Sequence, residues 1–224
     1  KILETLGIQI LTYTKSIGPV SIPEEAYCYE DIFQNALNMP NNAYAEKASA
    51  YLEGCIKEQN SSGGIIECRV TGLPVGIGDT VFDKLDANLA KSMLSIGAVK
   101  GFEIGDGFAS AQALGSENND AFISEQGNIQ KKTNHSGGTL GGMSDGAPLV
   151  FRVAIKPTPS ISRTQETVDK NRNPVSLTIT GRHDPVIVPR AVVVVESMAA
   201  LTIVDLLFTN MASKMDSLMT FYKK

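Results

Sequence analysis

Apolar and polar positions along the chain follow two periods, one of about two residues and one of about 3.6. Ile8, Ile10 and Thr12 share one face and Leu11 and Tyr13 the other, which predicts a strand ending near Gly18-Pro19. Lys1-Ile2-Leu3 before it reads as the last turn of a helix, with Gly7 as its stop. Residues 23–42 read as loop, with a short helical stretch from Asp31 to Leu37 and a break at Pro40-Asn41-Asn42. From Tyr44 to Gln59 the spacing of Ala48, Tyr51, Leu52, Cys55 and Ile56 fits an amphipathic helix, closed by Asn60-Ser61-Ser62-Gly63-Gly64. Ile65 to Val70 is the next strand. A glycine-rich turn from Gly72 to Asp79 leads to a helix capped by Asp79 or Thr80 and running to about Ile96, with Val81, Leu85, Leu89 and Met93 on one face.

Ala98 to Ile104 reads as a strand, and residues 115–146, rich in Gly, Ser, Asn and Asp, as a partly mobile loop. Leu149 to Ile155 is a strand stopped by Lys156-Pro157-Thr158-Pro159-Ser160, and Val175 to Thr180 is another. The last helix starts around Pro189, carries Val193, Met198, Leu201, Val204, Leu207 and Phe208, and continues to Lys223-Lys224. Strands and helices in this mixed order predict an α+β fold with antiparallel pairing. No tandem repeat is seen.

Composition narrows the function classes. The 224 residues suffice for one large or two small domains, and 42% hydrophobic with 20% charged residues is ordinary globular usage. A net charge of −4, no Trp and 6% aromatics give no support for nucleic-acid binding. Cys28, Cys55 and Cys68, odd in number and widely spaced, argue against a disulfide framework or a zinc site and for reduced thiols in the cytoplasm. No signal peptide opens the chain. The nearest thing to a membrane span, Pro185 to Phe208, is interrupted by Pro189, Arg190, Glu196 and Asp205 and is read as a strand end followed by a core helix.

Four segments could carry chemistry, each placing glycines, hydroxyls or a cation at a strand end where an anion can be held. In Ser95-Ile96-Gly97-Ala98-Val99-Lys100-Gly101 the small residues allow a ligand close to the backbone, or simply make a tight helix-to-strand turn. The nearby Gly105-Asp106-Gly107 lacks the third glycine and the context of a dinucleotide fingerprint. The run from Thr133 to Gly146 concentrates glycine, which costs ordering entropy that a plain connector does not require. Lys156-Pro157-Thr158-Pro159-Ser160 joins a cation, two hydroxyls and a stiffened backbone, a plausible phosphate cradle that is not a P-loop. Gly181-Arg182-His183-Asp184-Pro185 sets a planar cation beside a possible proton acceptor, or forms an exposed turn with a local ion pair.

The order Arg182-His183-Asp184-Pro185, Val188-Pro189-Arg190-Ala191 and Glu196-Ser197-Met198 resembles the C-terminal signature of chorismate synthases. Val70 to Gly78, Phe82 to Ala87, Val99 to Phe108, the Gly-Gly loop and the Lys-Pro-Thr-Pro-Ser segment are similar to further family motifs, in family order, across residues 1 to about 205. The resemblance implies a sandwich of antiparallel sheets on long helices, of which the chain is the C-terminal part of a single domain, and a homotetramer. It implies a lyase that converts 5-enolpyruvylshikimate 3-phosphate to chorismate and phosphate by a 1,4-elimination requiring reduced FMN. By family pattern Gly97, Ala98 and Gly141 line the flavin through backbone contacts. Lys156, Pro157, Thr158, Pro159 and Ser160 hold the FMN phosphate, and Arg182 stands between flavin and substrate anions. Asp184 assists deprotonation. The pattern leaves open whether NADPH or an external reductant reduces the flavin.

The family's Gly-Glu-Ser-His-Gly signature and its Ser-Ala-Arg signature are not found, and His135 and His183 match neither family histidine. The expectation is therefore a fragment that does not turn over alone and that exposes apolar helix surface between Val193 and Phe208. A module that binds flavin or phosphate without catalysis is the alternative reading, and a purely structural domain the third.

Overall fold

The computed structural model describes residues 1–125, 127–181 and 183–223. A single helical turn, α1 (Ile2–Thr5), hands over at Gly7 to strand β1 (Gln9–Ile17), which turns at Gly18-Pro19 into β2 (Val20–Ser21), pairing antiparallel with it. Two 3-10 turns, Glu24–Ala26 and Tyr29–Phe33, precede helix α2 (Asn42–Lys57), where the Asn41 side chain accepts from the Tyr44 N–H. Strand β3 (Gly64–Thr71), helix α3 (Leu85–Leu94) and strand β4 (Val99–Ile104) follow. Next come α4 (Gly115–Asn118), hairpin β5 (Phe122–Glu125) and β6 (Asn128–Lys131), and hairpin β7 (Thr139–Leu140) and β8 (Met143–Ser144). Strand β9 (Leu149–Ile155) leads to hairpin β10 (Gln165–Val168) and β11 (Pro174–Leu177), then to helices α5 (Val188–Ala212) and α6 (Met215–Tyr222). The main sheet has the order β2-β1-β3-β9-β4. The fold is α+β, as the mixed periodicity predicts.

The chain divides into two compact units, one formed by Lys1–Thr12, Glu67–Val153 and Val193–Lys224, the other by Tyr13–Ile66 and Ala154–Val192. In the second unit the core gathers Ile17, Ile22 and Met39 with the apolar face of α2: Ala45, Ala48 and Leu52. Each fully buried Leu or Ile of this kind contributes about 1.5–3 kcal/mol, less what ordering it costs. In the first unit Leu85, Leu89 and Met93 of α3 are completely buried, as are Leu149, Phe151 and Val153 of β9. Phe102 stacks on Phe151 with ring centroids 5.5 Å apart.

Three expectations are corrected. Helix α3 begins at Leu85, not near Thr80, and Val81 is 67% exposed at φ +67°. A residue at positive φ cannot belong to a right-handed helix. Asp79 caps a local turn instead: its carboxylate accepts from the Thr80 N–H, and its own N–H donates to the Asp83 carbonyl. Residues 115–146 hold one short helix and two hairpins rather than an unstructured loop. The last helix is two, because Lys214 is extended (φ −104°, ψ 120°) between α5 and α6.

Helix α5 is long and apolar enough to cross a membrane by length and composition, with mean hydropathy 2.1 in its most apolar window, of which 28% is buried. Its buried positions, Val188, Val192, Val195, Ala199, Ile203 and Leu206, recur every three or four residues, the stripe of a helix lying on a core. Val193, Leu201 and Phe208 on its other faces are exposed.

Candidate functional site

The second unit carries the expected phosphate-holding residues and Asp184. Strand β9 ends at Ile155, and the two prolines then hold the chain out of any ladder through Lys156 to Ser160. Lys156, Thr158 and Ser160 are half-buried. No ion-pair partner of Lys156 is found among the described residues. Among the described residues the buried Thr158 hydroxyl oxygen has no hydrogen-bond partner, and neither does the buried His183 Nε2. An unpaired buried polar atom costs about 1–3 kcal/mol, which makes both atoms candidates to meet a ligand.

In the following turn the Asp184 carboxylate takes a two-pronged grip from Arg190, with Nη1 and Nη2 donating over 2.8 and 2.9 Å. The partner of Asp184 lies outside the turn, on helix α5, and it fixes the orientation of both Asp184 oxygens. Arg182 lies outside the described residues. A cleft of about 170 Å³ opens here, lined in part by Asn60, Ser61, Ser162, Gly181, His183 and Asp184. Sequence reasoning named the 181–185 turn but took Asn60 and Ser61 only as helix terminators.

The first unit carries Gly97, Ala98 and Gly141. Gly97 sits in the tight turn from α3 to β4, where the Val99 N–H donates to the Ile96 carbonyl. A side chain built on Gly97 would meet nothing within 4 Å, so no protein neighbour there requires glycine. Ala98 adopts φ +72°, a left-handed conformation that is costly for alanine. Gly141 and Gly142, at φ +62° and +93°, are the two central residues of the β7–β8 hairpin, a turn that needs positive φ at both. Gly141 also faces open space, whereas a side chain on Gly142 would lie 2.8 Å from the Asp79 carbonyl oxygen. The Gly-Gly pair between Leu140 and Met143 was the available signal for this hairpin.

The other glycines of that region serve close packing. A side chain on Gly105 would sit 2.0 Å from the His135 carbonyl oxygen, and one on Gly137 2.3 Å from the Gly105 nitrogen. Arg152 ties the turn down, donating from Nε to Glu67 over 2.6 Å and from Nη1 to the Gly105 carbonyl over 2.7 Å. Asp106 Oδ2 lies 2.7 Å from His135 Nδ1, so the first of the two histidines is held by a structural carboxylate. The segment Gly105-Asp106-Gly107 is thus a docking point for the loop at His135.

A second network went unforeseen. The side chains of Asp120, Lys131 and Asp145 are each at most 6% exposed, with the Lys131 ammonium bridging the two carboxylates. Asp120 also accepts from the side chains of Thr133 and Ser136 and from the N–H groups of His135 and Ser136. Burial pushes its carboxyl up, but these bonds together outweigh that and hold it well below the usual carboxylate range. Five donors on one carboxylate tie Lys131, Thr133, His135 and Ser136 to Asp120 despite the loop-like composition around them.

Comparison with known proteins gives a single result. The chorismate synthase family model matches residues 1–208. The chorismate synthases of Agathobacter rectalis and Lachnospira eligens are 62% and 56% identical to the chain over all 224 residues, which make up 61% of each relative. A crystal structure of chorismate synthase superposes with a TM-score of 0.77 at 28% identity, covering 93% of this chain and 59% of that one. The chain spans about three-fifths of the length of the curated relatives it matches. Motif order, fold and identity along the whole chain agree: it belongs to the chorismate synthase family.

Proposed function

We propose that this chain serves the conversion of 5-enolpyruvylshikimate 3-phosphate to chorismate and inorganic phosphate, a 1,4-elimination that requires reduced FMN. The observation that carries the reading concerns two groups that have no partner among the described residues: the buried Thr158 hydroxyl and, two residues away, the half-buried cation of Lys156. Such a pair suits a phosphate monoester: Lys156 neutralises charge, and the Thr158 and Ser160 hydroxyls donate to phosphate oxygens. Gly97, Ala98 and Gly141 offer backbone that a flat ring system can approach, and the open space at Gly97 and Gly141 supports that role. When bound, reduced FMN supplies electron density to the substrate as phosphate leaves. Arg182 meets the anionic groups of flavin and substrate. Asp184, its two oxygens oriented by Arg190, assists removal of the proton.

The working assembly in this reading is a cytoplasmic homotetramer with no nucleic-acid or membrane partner. The 224-residue chain by itself binds flavin without turnover, since His135 is committed to Asp106 and neither histidine stands in a family histidine motif. The test is a titration of the folded chain with FMN, with and without 5-enolpyruvylshikimate 3-phosphate, beside Lys156→Ala. Saturable binding that the variant weakens at least about tenfold, the worth of one charge-assisted hydrogen bond, is expected. Equal binding by the variant removes the phosphate from Lys156, and turnover by the chain alone refutes its inactivity.

A further inference from the structure

The stretch from Asn60 to Gly63, just beyond α2, does more than end a helix. The Asn60 N–H closes the helix on the Cys55 carbonyl, and the Asn60 side-chain oxygen accepts from the Ser61 N–H over 2.9 Å. Ser61 is thereby turned so that its hydroxyl donates to the Thr158 carbonyl over 2.6 Å. Ser62, 3% exposed, donates its N–H to the Pro185 carbonyl over 2.7 Å and bridges in parallel to Val186. A side chain on Gly63 would sit 2.3 Å from the Ile155 carbonyl oxygen, so glycine is required for that approach. One short stretch therefore touches the Lys156–Ser160 segment on one side and the Gly181–Pro185 turn on the other.

The Lys156–Ser160 segment has little else to hold it. It joins no ladder between Ile155 and Gln165. Its other hydrogen bonds among the described residues both reach the Pro159 carbonyl: the local Ile161 N–H, and a long contact from Gln165 at 3.5 Å. Pro157 and Pro159 fix their own φ angles, and the Ser61 hydroxyl fixes the carbonyl between them. Three consecutive residues are thus set before any ligand arrives, and a preset site spends less entropy on binding. Two of the four buried side-chain atoms without a partner among the described residues, Thr158 Oγ1 and His183 Nε2, lie on the two segments that this stretch joins.

We propose that Ser61, through its hydroxyl bond to the Thr158 carbonyl, is a positioning residue for the phosphate of a flavin mononucleotide held at Lys156–Ser160. The inference rests on the proposed function for the phosphate site and adds the group that shapes it.

The experiment titrates the chain and its Ser61→Ala, Ser61→Thr and Lys156→Ala variants with FMN and with riboflavin, which lacks the phosphate, while thermal melting and near-ultraviolet circular dichroism report folding. Ser61→Ala is expected to weaken FMN about tenfold, the value of one hydrogen bond, and to leave riboflavin unchanged. Ser61→Thr, which keeps a hydroxyl, restores FMN. Unchanged FMN affinity in Ser61→Ala, equal losses for FMN and riboflavin, no rescue by Thr, or an unfolded Ser61→Ala each overturn the proposal. If Lys156→Ala loses FMN while Ser61→Ala does not, the positioning role alone fails. If Lys156→Ala keeps FMN, or the folded parent chain does not bind it, the phosphate site and the positioning role fail together.

Discussion

Gly97 and Gly105 stand eight residues apart in similar motifs, yet their surroundings differ. Gly97 has no neighbour that a methyl group would strike, and Gly105 has the His135 carbonyl where a methyl group would go. Gly97→Ala is expected to leave the melting temperature within about 2 °C while weakening FMN, and Gly105→Ala to lower it by several degrees, about 1–3 kcal/mol of overpacking. Melting curves with and without FMN separate the two. The thiols divide in the same way. Cys68 is buried, accepts a bond from the Thr12 hydroxyl at 3.3 Å, and is pushed up to about 12 by its burial. Cys28 is exposed, and Cys55 is buried. Iodoacetamide at mildly alkaline pH should modify Cys28 alone in the folded chain, and mass spectrometry would register any labelling of Cys68 as a failure of that burial. The candidate segments at Lys156 and Asp184 were readable from residue chemistry. Arg190 as the partner of Asp184 was not, since nothing local distinguishes it from a solvated helix charge.

Helix α2, buried along one face, was legible from its spacing, and β3 and β9, buried on both faces over part of their length, from their apolar runs. The start of α3 was not, because Asp79 offers the same cap to a turn as to a helix. The network around Asp120 was not legible because it comes from contacts eleven to sixteen positions away, all converging on one carboxylate. Removing that carboxylate should cost about 2 kcal/mol and leave Lys131 short of a partner. Limited proteolysis of Asp120→Ala is then expected to cut between residues 119 and 146, where the parent chain resists. The pH dependence has a definite sign. A carboxyl lowered in the folded state gives stability that is complete above the ordinary Asp range, about 4, and that fades as pH falls below it. Melting temperature against pH should therefore drop below that range in the parent chain and drop less in Asp120→Asn; identical slopes would remove Asp120 from the account.

At the scale of the whole molecule, the apolar helix surface expected between Val193 and Phe208 is present at Val193, Val194, Leu201 and Phe208. Exposed large apolar side chains clustered on one helix favour association. Gel filtration should show elution moving earlier with concentration, and Leu201→Glu should suppress the shift without lowering the melting temperature. Concentration-independent elution would mean that the stripe is tolerated by water as it stands.

The two compact units are interleaved along the chain: the first is assembled from three separate stretches, and the second occupies the gaps between them. On the ribosome, residues 1–12 and 67–153 would wait, partly unsatisfied, until the stretch from Val193 has been synthesised. Nascent chains that stall before that point would be aggregation-prone clients for chaperones, and any attempt to express one unit as a contiguous stretch of sequence would break both. The sequence separation of its contacts predicts slow, late-committing folding for this chain, a property set by its route rather than by the strength of any bond within it.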